Sequence, residues 1–152
     1  MDQLAMICYF EKVSHSPVVP LIAGAVVELV ESGFYEGVPA DLSNDEVMVE
    51  YVPETGKVIG FMIFRPDTWR STWFIMLAWT DPAYRRTGTH TALFEALCER
   101  ARAKGNVRHI TCETHVDNLA AQAAFEKQGR IPKSIYYRYD LGEAAPCSDY
   151  TK

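Results

Sequence analysis

The sequence predicts an α/β (α+β) domain built on a mixed sheet, and three observations carry that prediction. Three strand-like runs follow one another closely: Glu46 to Val52, Lys57 to Phe64 and Trp73 to Thr80. The first two are separated by Pro53, Glu54, Thr55 and Gly56, which is hairpin chemistry, so the runs form an antiparallel meander. A stretch of helical period, Thr89 to Lys104, then leads to a further strand, Val107 to Thr114. Two strands joined across a helix lie parallel in the right-handed sense, which adds a parallel pair to the meander.

The remaining elements follow in order. Gln3 to Phe10 reads as a first strand with imperfect alternation. Ser16 is placed to cap a helix with Pro17 at its first position, and Val18, Ile22, Ala25, Val26, Leu29 and Val30 give that helix a broad apolar face ending at Gly33. Phe34 to Leu42 is a loop or a short second helix. The central hairpin is rich in aromatic residues (Phe61, Phe64, Trp69, Trp73, Trp79), most of them for the core and one or two for the mouth of a pocket. In the crossover helix Leu93, Phe94, Leu97 and Ala101 face inward, and Arg100, Arg102 and Lys104 complement the dipole before Gly105 stops it. Asp117 and Asn118 open a shorter helix, Leu119 to Gln128, closed by Gly129. Ser134 to Leu141 alternates as a strand, with Ser134, Tyr136, Arg138 and Asp140 on one face and Ile135, Tyr137, Tyr139 and Leu141 on the other. One domain over residues 1–141 and a loose tail over 142–152 are expected.

Composition narrows the class. The 152 residues are 48% hydrophobic and 23% charged, with a net charge of -5 and no long basic run. That is ordinary for a globular protein and argues against nucleic acid as a partner. Cys8, Cys98, Cys112 and Cys147 form no C-x-x-C pair and no cluster with histidine, so no metal is expected and free thiols are. The start lacks secretory-signal features, and Val18 to Val30 is too short to span a bilayer. The expectation is a cytoplasmic chain without a membrane partner.

The informative turn lies between the third strand and the crossover helix. It holds Pro82, Arg85, Arg86 and Gly88, and a helix start offers unpaired N–H groups and a positive dipole end to an anion such as phosphate. Neither G-x-G-x-x-G nor G-x-x-x-x-G-K-[ST] occurs there. Asp81 to His90, Asp-Pro-Ala-Tyr-Arg-Arg-Thr-Gly-Thr-His, resembles the acyl-CoA pyrophosphate loop of the GCN5-related N-acetyltransferase (GNAT) superfamily, Arg/Gln-x-x-Gly-x-Gly/Ala, with His90 at the third small-residue position. Asn118-x-x-Ala121-x-x-x-Phe125-x-x-x-Gly129 resembles the superfamily's second signature, Asn-x-x-Ala-x-x-x-Tyr-x-x-x-Gly-Phe. The resemblance covers about Glu46 to Leu141.

The resemblance implies a GNAT-like, mostly antiparallel sheet whose central parallel strand pair splays apart between flanking helices. It implies acetyl-CoA as cosubstrate, with the pantetheine arm along Ala78, Trp79 and Thr80 and the pyrophosphate on Arg85, Arg86, Thr87, Gly88, Thr89, His90 and Thr91. Asn118 and Phe125 flank the same cleft, and homodimers are frequent in the superfamily. The implied reaction is direct acetyl transfer to a primary amine, with the acceptor's identity left open. The alternatives are a CoA-binding sensor or interaction module of weak or no catalytic activity, and an interaction domain in which both matches are coincidental.

Transfer from a thioester to an amine needs a neutral amine, donors for the carbonyl oxygen and a proton for the departing thiolate. Glu113 stands where relatives that acetylate protein N-termini carry a glutamate, and it is either a base or a solvated strand-end carboxylate. His115, on the same face if extended, is a second base or a surface residue. His90 either touches a phosphate or crowds the loop. Phe125 replaces the tyrosine that often protonates the thiolate, leaving Tyr136, Tyr137 or water as the acid. Glu31, Glu36, Asp41, Asp45, Glu46 and Glu50 make the segment ahead of the hairpin acidic, which suits a cationic acceptor or is simply a solvated face.

Overall fold

The computed structural model describes residues 4–35 and 41–142. Five strands form one sheet in sequence order: β1 (Met6–Phe10), β2 (Glu46–Val52), β3 (Lys57–Asp67), β4 (Thr72–Thr80) and β5 (His109–Thr111). The first four are antiparallel, while β4 and β5 are parallel. Helix α1 (Val19–Glu31) covers one face and α2 (Thr89–Lys104) the other, with α3 (Leu119–Lys127) beside α2.

Burial explains the composition of the central strands. Val47, Val49, Phe61, Ile63 and Leu77 pack beneath α1, while Met48, Met62, Phe64, Trp73 and Ile75 pack beneath α2 with Leu93, Leu97 and Ala101. β3 is covered on both faces, so it is apolar without alternation. Trp69 departs from the aromatic core and is 94% exposed at the β3–β4 turn.

Two register shifts shape the end of the sheet that matters. Between Glu50↔Gly60 and Tyr51↔Val58 the partner Ile59 is skipped, and its carbonyl accepts from Asp81 N at 2.8 Å, fixing where β4 ends. Between Ile63↔Leu77 and Phe64↔Ile75 the skipped residue is Met76, which offsets the last part of β4. β4 and β5 pair only at Thr72↔His109, Trp73↔Ile110 and Phe74↔Thr111. Past Phe74 they diverge, and Ile75 to Thr80 face a gap rather than a strand.

Several boundaries differ from the sequence reading. α1 starts at Val19 with Pro20 in its first turn, because residues Val13–His15 form a 3-10 turn in which Ser16 Oγ donates to Val13 O at 2.7 Å. Ser16 therefore closes that turn instead of capping α1. β5 is shorter than Val107 to Thr114, since only its first part has β4 alongside. The largest correction is Ser134 to Leu141, which forms no strand: alternation makes a strand only where a neighbour supplies hydrogen bonds. Of Phe34 to Leu42, residues 36–40 lie outside the described residues, as does all of the expected tail but Gly142.

Candidate active site

A cavity of about 930 Å³ opens where β4 parts from β5. Its floor is Ala78, Trp79 and Thr80, one wall is the turn into α2, and the opposite wall is α1 with Ala25, Glu28, Leu29 and Ser32.

The turn is built by short-range bonds. Asp81 Oδ1 accepts from Ala83 N at 2.8 Å and caps a 3-10 turn, Pro82–Tyr84. Lys57 Nζ lies 3.5 Å from Asp81 Oδ2 and over the Tyr84 ring. Arg85 Nε donates to Thr80 O at 3.1 Å, and the Thr87 hydroxyl donates to Tyr84 O. Arg86 (φ 62) and Gly88 (φ 91) both adopt left-handed conformations, of the kind found in backbone nests that bind anions. Among the described residues no acceptor takes the N–H of Arg86, Thr87, Gly88, Thr89, His90 or Thr91. These donors stand at the positive end of a helix of 16 residues, which suits an anion.

The helix start is seated by a glycine. A Cβ on Gly60 would come 2.6 Å from Thr89 Cγ2, 3.2 Å from Trp79 O and 3.3 Å from Leu93 Cδ1. Only a residue without a side chain lets α2 lie this close to β3. Beside it, Glu50 is buried under the same helix start, and burial raises its carboxyl above the usual range while the Thr89 hydroxyl opposes the shift.

His90 turns inward and stacks on Phe125 with ring centroids 6.1 Å apart. Its Nδ1 lies 2.9 Å from Gln128 Nε2, which also donates to Thr91 Oγ1 at 3.0 Å. Burial, with the Arg130 charge as a lesser cause, pushes His90 down to about 4. It is a neutral side chain at physiological pH and joins α2 to α3. Arg130 follows Gly129, where the second signature has phenylalanine; its guanidinium lies against the rings of Phe94 (3.8 Å) and Phe125 (4.4 Å), with Nη1 donating to Cys112 Sγ at 3.2 Å.

The matching family model is described as the acetyltransferase (GNAT) family and spans residues 24–129, from inside α1 to the end of α3. The chain belongs to the GNAT family. Several acetyltransferases of known structure share its fold at low identity. A possible acetyltransferase from Clostridium difficile is 19% identical with a TM-score of 0.66, over 90% of this chain and 98% of that one. A ribosomal-protein-alanine N-acetyltransferase from Brucella melitensis is 15% identical with a TM-score of 0.66, over 91% and 100%. The aminoglycoside N-acetyltransferase AAC(6')-Iy, solved with CoA, is 17% identical with a TM-score of 0.60, over 90% and 100%. No curated protein matches the sequence. These likenesses establish the GNAT fold, including its mixed sheet with one parallel pair.

Within this GNAT frame, the cavity brings together Ala78, Trp79, Thr80, Arg85, Arg86, Gly88, Thr89, His90, Thr91 and Asn118. Asn118 has a second duty, since its Oδ1 accepts from Ala121 N at 3.2 Å and caps α3. Thr87 stays in the loop without lining the cavity, and Phe125 lies behind His90.

The three residues proposed for chemistry are not brought together. Glu113 is exposed beyond the end of β5 and does not line the cavity. His115 is half-buried, its Nδ1 accepts from Asp117 N at 3.1 Å, and its ring meets Phe34, a cavity residue, at 5.7 Å. Tyr136 is 77% exposed and away from the cavity.

The acidic segment is likewise used elsewhere. Asp45 binds Arg65 through both carboxylate oxygens at 2.6 and 2.8 Å, and Glu46 accepts from the Tyr9 hydroxyl.

Sequence reasoning missed Glu28. It lines the cavity, its Oε2 accepts from Trp79 Nε1 at 3.3 Å, and its Oε1 pairs with Arg85. The available signal was that Glu28 is the only charged residue between Val18 and Val30.

Proposed function

We propose that this GNAT chain transfers an acetyl group from acetyl-CoA directly to a primary amine. The observation that carries the proposal is the row of unpaired N–H groups from Arg86 to Thr91, continuous with the unpartnered end of β4. The row fits a pyrophosphate, and the open strand edge offers backbone groups to a pantetheine arm and a donor to the thioester oxygen. The CoA bound in the aminoglycoside acetyltransferase neighbour is consistent with this use of the cleft. Arg102 and Lys127 line the outer cavity and add positive charge for phosphate.

In the reaction the amine lone pair forms the N–C bond, the C–S bond breaks, and the CoA sulfur takes a proton. Cys98 lies on the cavity wall, but burial raises its thiol, which disfavours a thiolate and an acyl-cysteine intermediate. Attack by the acceptor itself is the simpler route. Glu28 is the carboxylate placed to receive that acceptor, because it faces the cavity from the α1 wall opposite the phosphate loop. Glu113 would act only through solvent.

Titration with acetyl-CoA tests the binding half, and at ~100 times the dissociation constant a stabilisation of about 2.7 kcal/mol is expected in thermal unfolding. Acceptor-dependent release of CoA across small amines, peptide N-termini and aminoglycosides tests the chemistry. Glu28→Gln is expected to lower that release at least ~10-fold with acetyl-CoA affinity retained, and Glu113→Gln to change it little. No stabilisation by millimolar acetyl-CoA would refute the whole reading.

A second reading is favoured by Phe125, which has no proton to give. On that reading the chain binds acetyl-CoA and turns it over weakly or not at all. Phe125→Tyr separates the two: a rise in turnover, up to about 10² to 10⁴-fold, identifies a missing acid. An unchanged rate in an active enzyme means water or another group supplies the proton.

A further inference from the structure

One acidic group sits directly behind the turn that leads into α2 and does not line the cavity. Glu50 lies on the same face of β2 as Met48, and its cross-strand partners are Ile7 on β1 and Gly60 on β3. α2 covers that face, and Gly60 is the residue that lets Thr89 come close. Glu50 is 9% exposed there, and its Oε2 has no hydrogen-bond partner among the described residues. A buried acceptor left unpaired is costly.

The charged and titratable groups of the elements around it are engaged elsewhere. On β1, Tyr9 donates to Glu46 of β2; on β3, Lys57 pairs with Asp81; on α2, His90 meets Gln128 and Arg100 lies over the Tyr9 ring. Burial raises the Glu50 carboxyl, and the Thr89 hydroxyl is the side chain that opposes the shift. What remains to hold a negative charge at Glu50 is the positive end of α2, a helix of 16 residues. That same end offers its unpaired N–H groups to an anion on the cavity side. A bound diphosphate and Glu50 would therefore share one helix start, the ligand in front and the carboxylate behind. The diphosphate takes direct hydrogen bonds, whereas Glu50 Oε2 takes none, so the carboxylate is the group that gives up its charge.

We infer that Glu50 links the phosphate turn to solvent protons: when acetyl-CoA sets its diphosphate on the start of α2, Glu50 Oε2 takes up one proton. The proton comes from solvent, the carboxylate becomes a neutral carboxyl, and the diphosphate keeps its charge. By linkage, acetyl-CoA binds more tightly as pH falls, by at most about tenfold per pH unit. The inference rests on the acetyl-CoA reading of the turn, because it needs the diphosphate there.

Titration calorimetry of the full chain with acetyl-CoA, in Pipes and in imidazole between about pH 5 and 8, reads proton uptake from the difference in heat between the buffers. The expected result is net uptake that peaks within that range, with affinity rising as pH falls. Glu50→Gln should still bind acetyl-CoA and lose most of the uptake and of the pH dependence. CoA's own phosphate monoester titrates in the same range, so equal uptake in wild type and variant belongs to the ligand and overturns the inference. Binding heat that is the same in both buffers at every pH also overturns it, while leaving the acetyl-CoA reading intact. No binding by calorimetry or thermal shift overturns that reading, and this inference with it. If Glu50→Gln does not fold, Glu50→Met, matched to its apolar neighbours, serves in the same comparison. The wild-type series decides without either variant, since affinity that stays flat or weakens as pH falls overturns the inference.

Discussion

Two stretches of the chain, the Asp81 to Thr91 turn and the 131–142 segment, hold their backbone in different ways. In the turn, donors are free because local bonds hold them open. Asp81, Arg85 and Thr87 each bond within five residues, and Gly60 lets α2 press the turn onto the sheet. Among the described residues of the 131–142 segment, Ile131 to Tyr137 and Tyr139 to Gly142 make no backbone–backbone hydrogen bond. Unpaired donors thus mark a candidate ligand site where local bonds fix the frame around them.

That contrast can be broken on the turn side first. His90 is the strongest lever. Its folded value of about 4 lies below the ordinary 6.5, so the unfolded chain binds more protons between those values and stability must fall as pH falls through that window. The loss reaches about 2–3 kcal/mol near pH 4, and His90→Gln should flatten that part of a chemical-denaturation profile. Gly60→Val drives a side chain into Thr89 and the Trp79 carbonyl. It is expected to cost ~1–3 kcal/mol in urea unfolding and to weaken acetyl-CoA binding by calorimetry, since the helix start must lift.

Gly88→Ala meets no neighbour, so its effect is conformational alone. A left-handed alanine costs about 1 kcal/mol, and acetyl-CoA affinity should drop severalfold with the melting temperature less affected. Glu50→Gln works the other way. A carboxyl raised by burial favours the folded state below its folded value and disfavours it above, so Glu50→Gln should raise the melting temperature at pH 7 and do less near pH 4. The smallest effect belongs to the 131–142 segment: Tyr136→Phe should leave acetyl-CoA affinity within twofold in titration calorimetry, because its hydroxyl is exposed away from the cavity.

Much of this was legible beforehand where cause and residue are close in sequence. The meander, the crossover helix and its inward Leu93, Leu97 and Ala101 follow from periodicity and turn chemistry. The turn whose N–H groups lack acceptors follows from Gly88 and the helix start. For His90 the sequence left open a phosphate contact or a crowded loop, and the structure stacks its ring on Phe125 through a contact between helices that no local pattern encodes.

The sequence by itself determined the elements, the order of the strands and the turn that offers backbone donors, because each depends on residues a few positions apart. Tertiary structure alone decided which carboxylate enters the cleft. Glu28 was one charge in an apolar helix until α1 packed across from Arg85 and Trp79, and Glu113 was on a strand only until β4 and β5 parted. It also decided the fate of Ser134 to Leu141, since side-chain alternation is local but a strand's hydrogen bonds belong to its neighbour.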